Sequence, residues 1–496
     1  MATTDFMVAI ELGSTRITGV AGRKDLDGKL TILAFASEEA SACIRKGTVF
    51  NIDKTAQAIT SIINKLEATL DASIAKVYVG ISGQSVRTVK NSVARQFEGE
   101  TRITADIVDQ LIASSRGTQM GEYEILEVIP QEYRVGTGLH ADPVGVITTH
   151  IEGRFLHVIA RQGVKRKIDE CFQLAKTRIA GYFIAPLEMA KIVVSDTELR
   201  TGCALVDFGA ETTTVQVYKE HMLRHLVVLP LGSNNVTKDI SSLQIEEADA
   251  EELKIKYASA YSEPYEADTT PTTYTFGSDG TSTITDRTLN EIAEARMEEI
   301  IANVWHQIQL SGYDDKLMAG IIVTGGGSHI ARLQTAIQKK TGIEKFRHAT
   351  YIIPLVESVT PELLVKNSRQ GTLLGLLCSA RENCCEQEPP KGLFDDDADQ
   401  LEKERVEKEK LLEEQKAEAA RIAQEEEAAR AAEAQRIAQE KAEHEAAIRR
   451  EEEARLEAER RAKAEEERRL RRENSLFGRL QKWGKKLADD IVNGEE

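Results

Sequence analysis

Long apolar runs are missing from this chain. Nowhere does it approach the roughly 18 consecutive apolar residues that a membrane-spanning helix needs. The opening MATTDFMVAIELGSTRITGV has no basic leader followed by an apolar core, so it does not read as a secretory signal. A cytosolic protein with peripheral membrane contact at most is expected. A basic excess is missing too: the net charge is −17, which argues against general nucleic-acid binding, because that needs a basic face. Cysteine is sparse. Cys43, Cys171, Cys203, Cys378, Cys384 and Cys385 contain no CxxC pair, so reduced thiols are expected and not a disulfide framework. The nine histidines are equally scattered and suggest no metal cage made of protein ligands alone. Proline and glycine are absent from Leu401 to Asn474, where Glu, Ala, Arg and Lys dominate.

Before that tract the composition is that of a globular protein, long enough for several domains. FMVAIELGST reads as an apolar strand entering a Gly-Ser-Thr turn. ITGVAGRK and LTILAFASEE follow as strands, with KDLDGK as the hairpin turn between them. Apolar residues at helical spacing predict a helix over 51–70. KVYVGISG is another strand. Residues 87–162 mix a helix (103–115) with strands such as YEILEVIPQEYRV and RFLHVIARQ, and 163–198 reads as two helices around YFIAPLEMAKIVV. Then GCALVDFGAETTTVQVYKEHMLRHLVVLPLGS repeats the opening logic of apolar strand, acid, Gly turn and strand. Helices are expected over 234–244, 248–257 and 286–311, and AGIIVTGGGSHIARLQTAIQKKTG reads as strand, Gly-rich turn and helix.

Three turns suggest phosphate and nucleoside chemistry. In IELGST, Gly13, Ser14 and Thr15 can bring successive backbone N–H groups to phosphate oxygens, and Glu11 can hold a hydrated Mg²⁺. VDFGAETTT offers Asp207 and Gly209 in the same arrangement. Gly325, Gly326 and Gly327 let a nucleoside lie on the backbone. They come too late in the chain to open a dinucleotide-binding unit, whose Gly loop belongs to the first strand–helix pair. Glu251 and Lys254 stand one helical turn apart and can reach one ligand together. Each element alone also fits an ordinary turn or a solvated ion pair. Their order is the pattern of the actin/Hsp70/sugar-kinase ATPase fold.

More specific stretches are IRKGTVFNID, ILEVIPQEYRV followed by DPVGV, APLEMAKIV, LPLGSNNVTKDI and AEELKIKYAS. Together they resemble the bacterial cell-division protein FtsA over roughly residues 6–380, and the likeness extends to the amphipathic C-terminal end. The resemblance implies an α/β fold of the actin-like ATPase type, with two α/β halves around a nucleotide cleft and an inserted α+β subdomain. By this likeness, subdomain 1A comprises 1–86 and 163–200, rejoined by a return helix in 366–385. The family's inserted subdomain 1C is 87–162, subdomain 2A is 201–240 with 316–365, and 2B is 241–315. A linker (386–399), the charged tract (400–473) and an amphipathic helix (474–496) follow.

The same resemblance implies ATP and Mg²⁺ as cofactors. Gly13, Ser14 and Thr15 would hold the phosphates from one side, and Asp207, Gly209, Glu211 and Thr212 would lie on the other. Gly325, Gly326 and Gly327 would bed the nucleoside, with Lys238, Glu251 and Lys254 approaching from the upper domain. Glu11 and Asp207 would reach Mg²⁺ through water. Glu11 stands where most of the superfamily has Asp, and Ala185 where related ATPases place a water-orienting Gln or Glu. Glu188, one turn on, is the candidate substitute, although a surface carboxylate is the plainer reading. Slow or negligible ATP hydrolysis is therefore expected. The implied partners are the tail of the tubulin-like protein FtsZ on 241–315, further copies of the chain, later septal proteins through 87–162, and an anionic membrane. The implied location is the cytoplasmic face of the bacterial inner membrane at the division septum.

Residues 400–473 carry Glu–Lys/Arg pairs three and four apart, such as Glu404–Lys408 and Glu426–Arg430, in a helix-forming composition. The spacing of their large apolar residues keeps no heptad register, which favours a solvated single helix over a coiled coil. Fully helical, the tract would span roughly 110 Å. It departs from the family, whose linker is usually short. Beyond it, Leu476, Phe477, Leu480, Trp483, Leu487 and Ile491 fall within roughly 120° of a helical wheel. Arg479, Lys482, Lys485 and Lys486 take the other side. That pattern describes an interfacial membrane helix and also a calmodulin-type target helix. A sugar kinase, a chaperone-type ATPase and a pilus-assembly scaffold of the same fold are the competing functional readings. The charged tract is neither a substrate domain nor a β-rich peptide-binding domain.

Overall fold

The structure is a computed structural model that describes residues 5–25, 29–264, 270–277, 280–352 and 370–385, the strand Leu355–Ser358, and residues 457–458, 460–471, 478–479 and 481–485. It falls into two units, Met1–Gln387 and Glu388–Glu496.

The first unit opens with an antiparallel meander of β1 (Met7–Leu12), β2 (Arg16–Lys24) and β3 (Leu30–Glu39). In β3 the period of two is plain: Leu30, Ile32, Ala34 and Ala36 are buried, and the residues between them are less so. A small hairpin follows, β4 (Ile44–Arg45) with β5 (Thr48–Val49). Next comes α1 (Ile52–Leu70), whose first turn is capped by the Asn51 side chain accepting from the Lys54 N–H at 3.0 Å. It buries Ile59, Ile62, Ile63 and Leu66 against the meander, and β6 (Lys76–Ile81) returns parallel to β1.

The chain then leaves this half for the insert: β7 (Arg87–Arg102), α2 (Ala105–Arg116), β8 (Tyr123–Val135), β9 (Gly138–His140) and β10 (Ile147–Arg161). It has a small core of its own around Ile103, Leu111, Tyr133, Val135, Ile151 and Phe155. The chain re-enters through α3 (Val164–Leu174), β11 (Arg178–Ile184), α4 (Ala185–Val193) and the short α5 (Asp196–Thr201). The two-helix reading of 163–198 is thus corrected. RIAGYFI pairs in parallel with β6 as a strand, which a local helical pattern conceals.

The second half repeats the first. β12 (Cys203–Phe208), β13 (Thr213–Lys219) and β14 (Met222–Leu229) form a meander like β1–β3. α6 (Asn234–Ser241) and α7 (Glu247–Tyr257) follow, then a hairpin of β15 (Thr273–Phe276) and β16 (Ser282–Thr285), and then α8 (Asp286–Ser311). β17 (Gly320–Thr324) lies parallel to β12, as β6 lies to β1. A 3-10 turn (Gly326–His329), α9 (Leu333–Thr341), β18 (Phe346–His348), β19 (Leu355–Ser358) and α10 (Gly371–Ser379) complete the unit.

Besides the hairpins β4-β5 and β15-β16, the described residues form two larger sheets, with strand orders β11-β6-β1-β2-β3-β19 and β18-β17-β12-β13-β14-β7-β10-β8-β9. Although the insert is strung from the first half, its strands extend the sheet of the second. The join is narrow. Val227 pairs with Arg87, the Val228 N–H donates to the Val86 carbonyl at 3.0 Å, and the Thr88 hydroxyl accepts from the Leu226 N–H at 2.8 Å. Arg224 reinforces it, buried at 6% exposure. Its guanidinium donates to Glu132 and to Glu220, each at 3.1 Å, and lies over the Tyr313 ring at 5.3 Å.

In the second unit, residues 457–458 and 460–471 are helical with exposed side chains, and Arg461 donates to Glu457 at 3.0 Å. Residues 478–479 and 481–485 are helical as well. Arg479, Lys482 and Lys485 are exposed, and Trp483 is 69% exposed. Leu476, Phe477, Leu480, Lys486, Leu487 and Ile491 lie outside the described residues, as do the linker and most of the charged tract. No helix among the described residues is long and apolar enough to cross a membrane.

Candidate functional site

The two meanders place two equivalent turns at one cleft. Between β1 and β2 the chain turns through Gly13, Ser14 and Thr15; between β12 and β13 it turns through Gly209, Ala210, Glu211 and Thr212. Each first glycine is forced by the same close approach. A Cβ on Gly13 would stand 2.7 Å from the Arg16 carbonyl oxygen, and one on Gly209 would stand 2.8 Å from that of Thr212. A cavity of about 760 Å³ lies between the hairpins, large enough for a nucleotide. Gly13, Ser14, Thr15, Gly209 and Thr212 line it, with Gly325, Gly326 and Gly327 at another side.

The acids at its floor are matched as well. Glu11 and Asp207 are each the penultimate residue of their strand, paired across the meander with Thr18 and Thr214. Burial pushes the Glu11 carboxyl up to about 7, helped by the negative charge of Asp207, while Thr372 and Thr18 pull the other way. Burial pushes Asp207 up to about 6. Two carboxylates that resist ionisation in one water-accessible cavity fit a divalent cation, whose charge would reverse both shifts. Gly325 makes room for one of them. It has φ +84°, and a Cβ there would stand 2.3 Å from Asp207 Oδ1 and 2.5 Å from the Phe208 carbonyl oxygen.

The upper wall is a polar knot. Lys254, 8% exposed, donates through Nζ to Glu251 Oε2 at 2.6 Å and to Thr237 Oγ1 at 3.0 Å. Thr237 in turn donates to the same Glu251 oxygen at 2.5 Å. All three line the cavity. The start of α6 faces it too: Ser233 and Asn234 line it, and their N–H groups donate to Gly209 and Ala210 carbonyls at 2.9 and 2.7 Å.

Three candidates stand elsewhere. Lys238 is exposed and does not line the cavity, because one residue turns a helix by about 100°; the side chain at the cavity is Thr237. Glu211 does not line the cavity but reaches over to the Lys46 N–H at 2.5 Å. Glu188 is neither at the cleft nor on the surface. At 5% exposure it sits under α10, accepting from Lys191 Nζ at 2.7 and 2.8 Å and from the Ser379 hydroxyl. Sequence reasoning also passed over Gly47, His329, Gln370 and Thr372, all of which line the cavity. Of these, Gly47 lies in IRKGTVFNID and His329 in the Gly-rich stretch IIVTGGGSHI, whereas Gln370 and Thr372 come from the start of α10.

The insert is the most distinctive part of this two-halved architecture. Residues 83–160 match the model for the SHS2 domain inserted in FtsA, and residues 204–367 match that of the cell division protein FtsA. Over 340 residues the chain is 35% identical to the cell division protein FtsA of Porphyromonas gingivalis, covering 67% of this chain and 70% of that one. This chain belongs to the FtsA family. The FtsA of Neisseria meningitidis is 26% identical over 385 residues, 76% of this chain and 90% of its own. The FtsA of Escherichia coli K12 is 24% identical over 344 residues, 67% and 81%. A solved PilM-PilN type IV pilus biogenesis complex superposes with a TM-score of 0.51 at 14% identity, covering 76% of this chain and 98% of that one, which shows the fold. The chain is thus a cell-division protein of the actin-like ATPase fold, with the FtsA insert interrupting its first half.

Proposed function

We propose that the cleft binds ATP with Mg²⁺, hydrolyses it slowly or not at all, and uses it to set the orientation of the two halves. The carrying observation is the pair of equivalent hairpins, each with an acid and a close-approach glycine, on opposite sides of one cavity. Gly13, Ser14 and Thr15 would hold the phosphates from the first half, Gly209 and Thr212 from the second. Glu11 and Asp207 would hold Mg²⁺ through its waters, supplying charge neutralisation. Thr237, Glu251 and Lys254 would close the site from above, and Gly325, Gly326 and Gly327 would bed the nucleoside. Slow turnover is supported by α4: the residues it turns to the cavity, Ala185, Pro186 and Met189, carry no group that can orient a water.

Within division, the proposed role is to tether an FtsZ polymer to the cytoplasmic face of the membrane at the septum. The FtsZ tail would dock on 241–315, later division proteins would be recruited through the insert, and copies of the chain would associate in a nucleotide-dependent way. The C-terminal helix would be the membrane contact. Trp483 stands exposed beside Arg479, Lys482 and Lys485, and basic residues near an anionic leaflet contribute about 1 kcal/mol each. One such helix holds weakly; a row of them would hold by avidity.

Co-sedimentation with anionic vesicles, with and without ATP, tests the tether. The intact chain should pellet, more so with ATP, and a chain stopped at Glu473 should stay in solution. Membrane binding that survives the truncation would overturn the reading.

A further inference from the structure

The turn between β4 and β5 is built from two left-handed residues, Lys46 (φ +48°) and Gly47 (φ +70°). It is held from behind. The Gln84 N–H donates to the Lys46 carbonyl at 3.0 Å, and Gly47 lies so close to Gly83 that a Cβ would stand 2.8 Å from its Cα. Its two successive N–H groups reach both hairpins. Gly47 N–H donates to Ser14 Oγ at 2.9 Å on the first, and Lys46 N–H donates to Glu211 Oε2 at 2.5 Å on the second. Ser14 and Gly47 line the cavity. Because Ser14 Oγ accepts from Gly47, its own O–H is left to donate elsewhere.

A carboxylate held by a backbone N–H beside a phosphate-type turn is chemically a stand-in for a phosphate oxygen, and both accept such charge-assisted bonds. We propose that Glu211 is an internal competitor for the terminal phosphate of a nucleoside triphosphate. Without that phosphate, Glu211 occupies the Lys46 N–H and latches the second hairpin to the first half. A triphosphate takes over the N–H and the Ser14 hydroxyl, and releases Glu211. A diphosphate lacks the competing group and leaves the latch closed. Glu211 is thus a positioning residue that reports which nucleotide fills the cleft. The inference rests on the cleft being a nucleotide site.

The test uses the full chain and two readouts, hydrogen exchange over residues 44–49 and titration with fluorescent ATP and ADP. In the unmodified protein, ATP should leave exchange at Lys46 slow while Glu211 is replaced. In Glu211→Ala without nucleotide, exchange there should rise. ATP, but not ADP, should restore protection in the variant. Glu211→Ala should tighten ATP by about tenfold, the scale of one hydrogen bond to a charged group, and leave ADP within about twofold. Glu211→Gln keeps the reach without the charge and should fall between. Equal changes for ATP and ADP, or protection by ADP equal to that by ATP, would overturn the competition. Unchanged exchange in nucleotide-free Glu211→Ala would overturn the latch. If the unmodified chain bound neither nucleotide, the nucleotide reading and the competitor role would fall together, whereas faster exchange in Glu211→Ala would still show the latch.

Discussion

Glu11 and Asp207 occupy the same place on two different strands, and the charge of one raises the pKa of the other across the cleft. Their folded-state values of about 7 and about 6 lie above the ordinary 4.5 and 3.8, so the folded chain binds these protons more tightly than the unfolded one. Stability from this pair is therefore full below the ordinary values and lost as pH rises through about 6 and about 7. Without metal or nucleotide, thermal melts should show the Glu11→Gln, Asp207→Asn double variant gaining on the parent between about pH 5 and about pH 8, by about 4 kcal/mol. Mg²⁺ with nucleotide should stabilise the parent more at the alkaline end. A parent and double variant with parallel pH profiles would contradict this.

Gly325 admits no side chain without displacing Asp207 or the Phe208 backbone. Gly325→Ala should cost about 1–3 kcal/mol in denaturant unfolding, the range for a residue forced into left-handed backbone. It should also weaken nucleotide binding, by moving Asp207 as well as by crowding the nucleoside. Gly326, with open space around its would-be Cβ, is the control: Gly326→Ala should leave stability within about 0.5 kcal/mol.

Thr237 and Lys238 are neighbours with opposite expectations. Thr237→Val removes the hydroxyl bonded to both Lys254 and Glu251 and should cost about 1–2 kcal/mol, with a loss of nucleotide affinity. Lys238→Ala should change neither beyond about 0.5 kcal/mol. Calorimetric titration alongside urea unfolding of both variants decides it, and an affinity loss confined to Lys238→Ala would reverse the assignment.

Arg224 fastens the insert. Arg224→Ala strips the shared cation from Glu132 and Glu220 and the packing on Tyr313; at about 2 kcal/mol it should cost more than an exposed pair, because the guanidinium is buried. Hydrogen exchange should rise in β14 and at the start of β7, while the insert's own core around Phe155 stays protected.

The parts of this site that could be read from the sequence are those in which chemistry and backbone are local. A strand, an acid and a glycine turn occupy half a dozen consecutive positions, so both hairpins and the Gly325–Gly327 turn were recognisable without tertiary knowledge. Lys238 failed for lack of phase. The helix was evident, but nothing local says which of two adjacent residues faces a ligand. Glu188 read as a surface residue because α10, which covers it, returns from almost 200 positions away in the chain. Glu211, which the resemblance puts at the cleft, reaches instead to Lys46 in the other half of the molecule, a contact no local pattern shows. β11 was hidden because parallel pairing leaves no hairpin beside it in sequence.

The insert leaves and re-enters the chain through the first half, between β6 and α3, yet it is hydrogen-bonded as an extra set of strands on the second. It is thus a strut pinned to both jaws. Any swing of one half against the other must flex its two covalent roots, shear the few bonds around Thr88, or carry the whole insert along as a pointer. In the last case a change of angle between the halves would be displayed at β9, the far edge of a nine-stranded sheet.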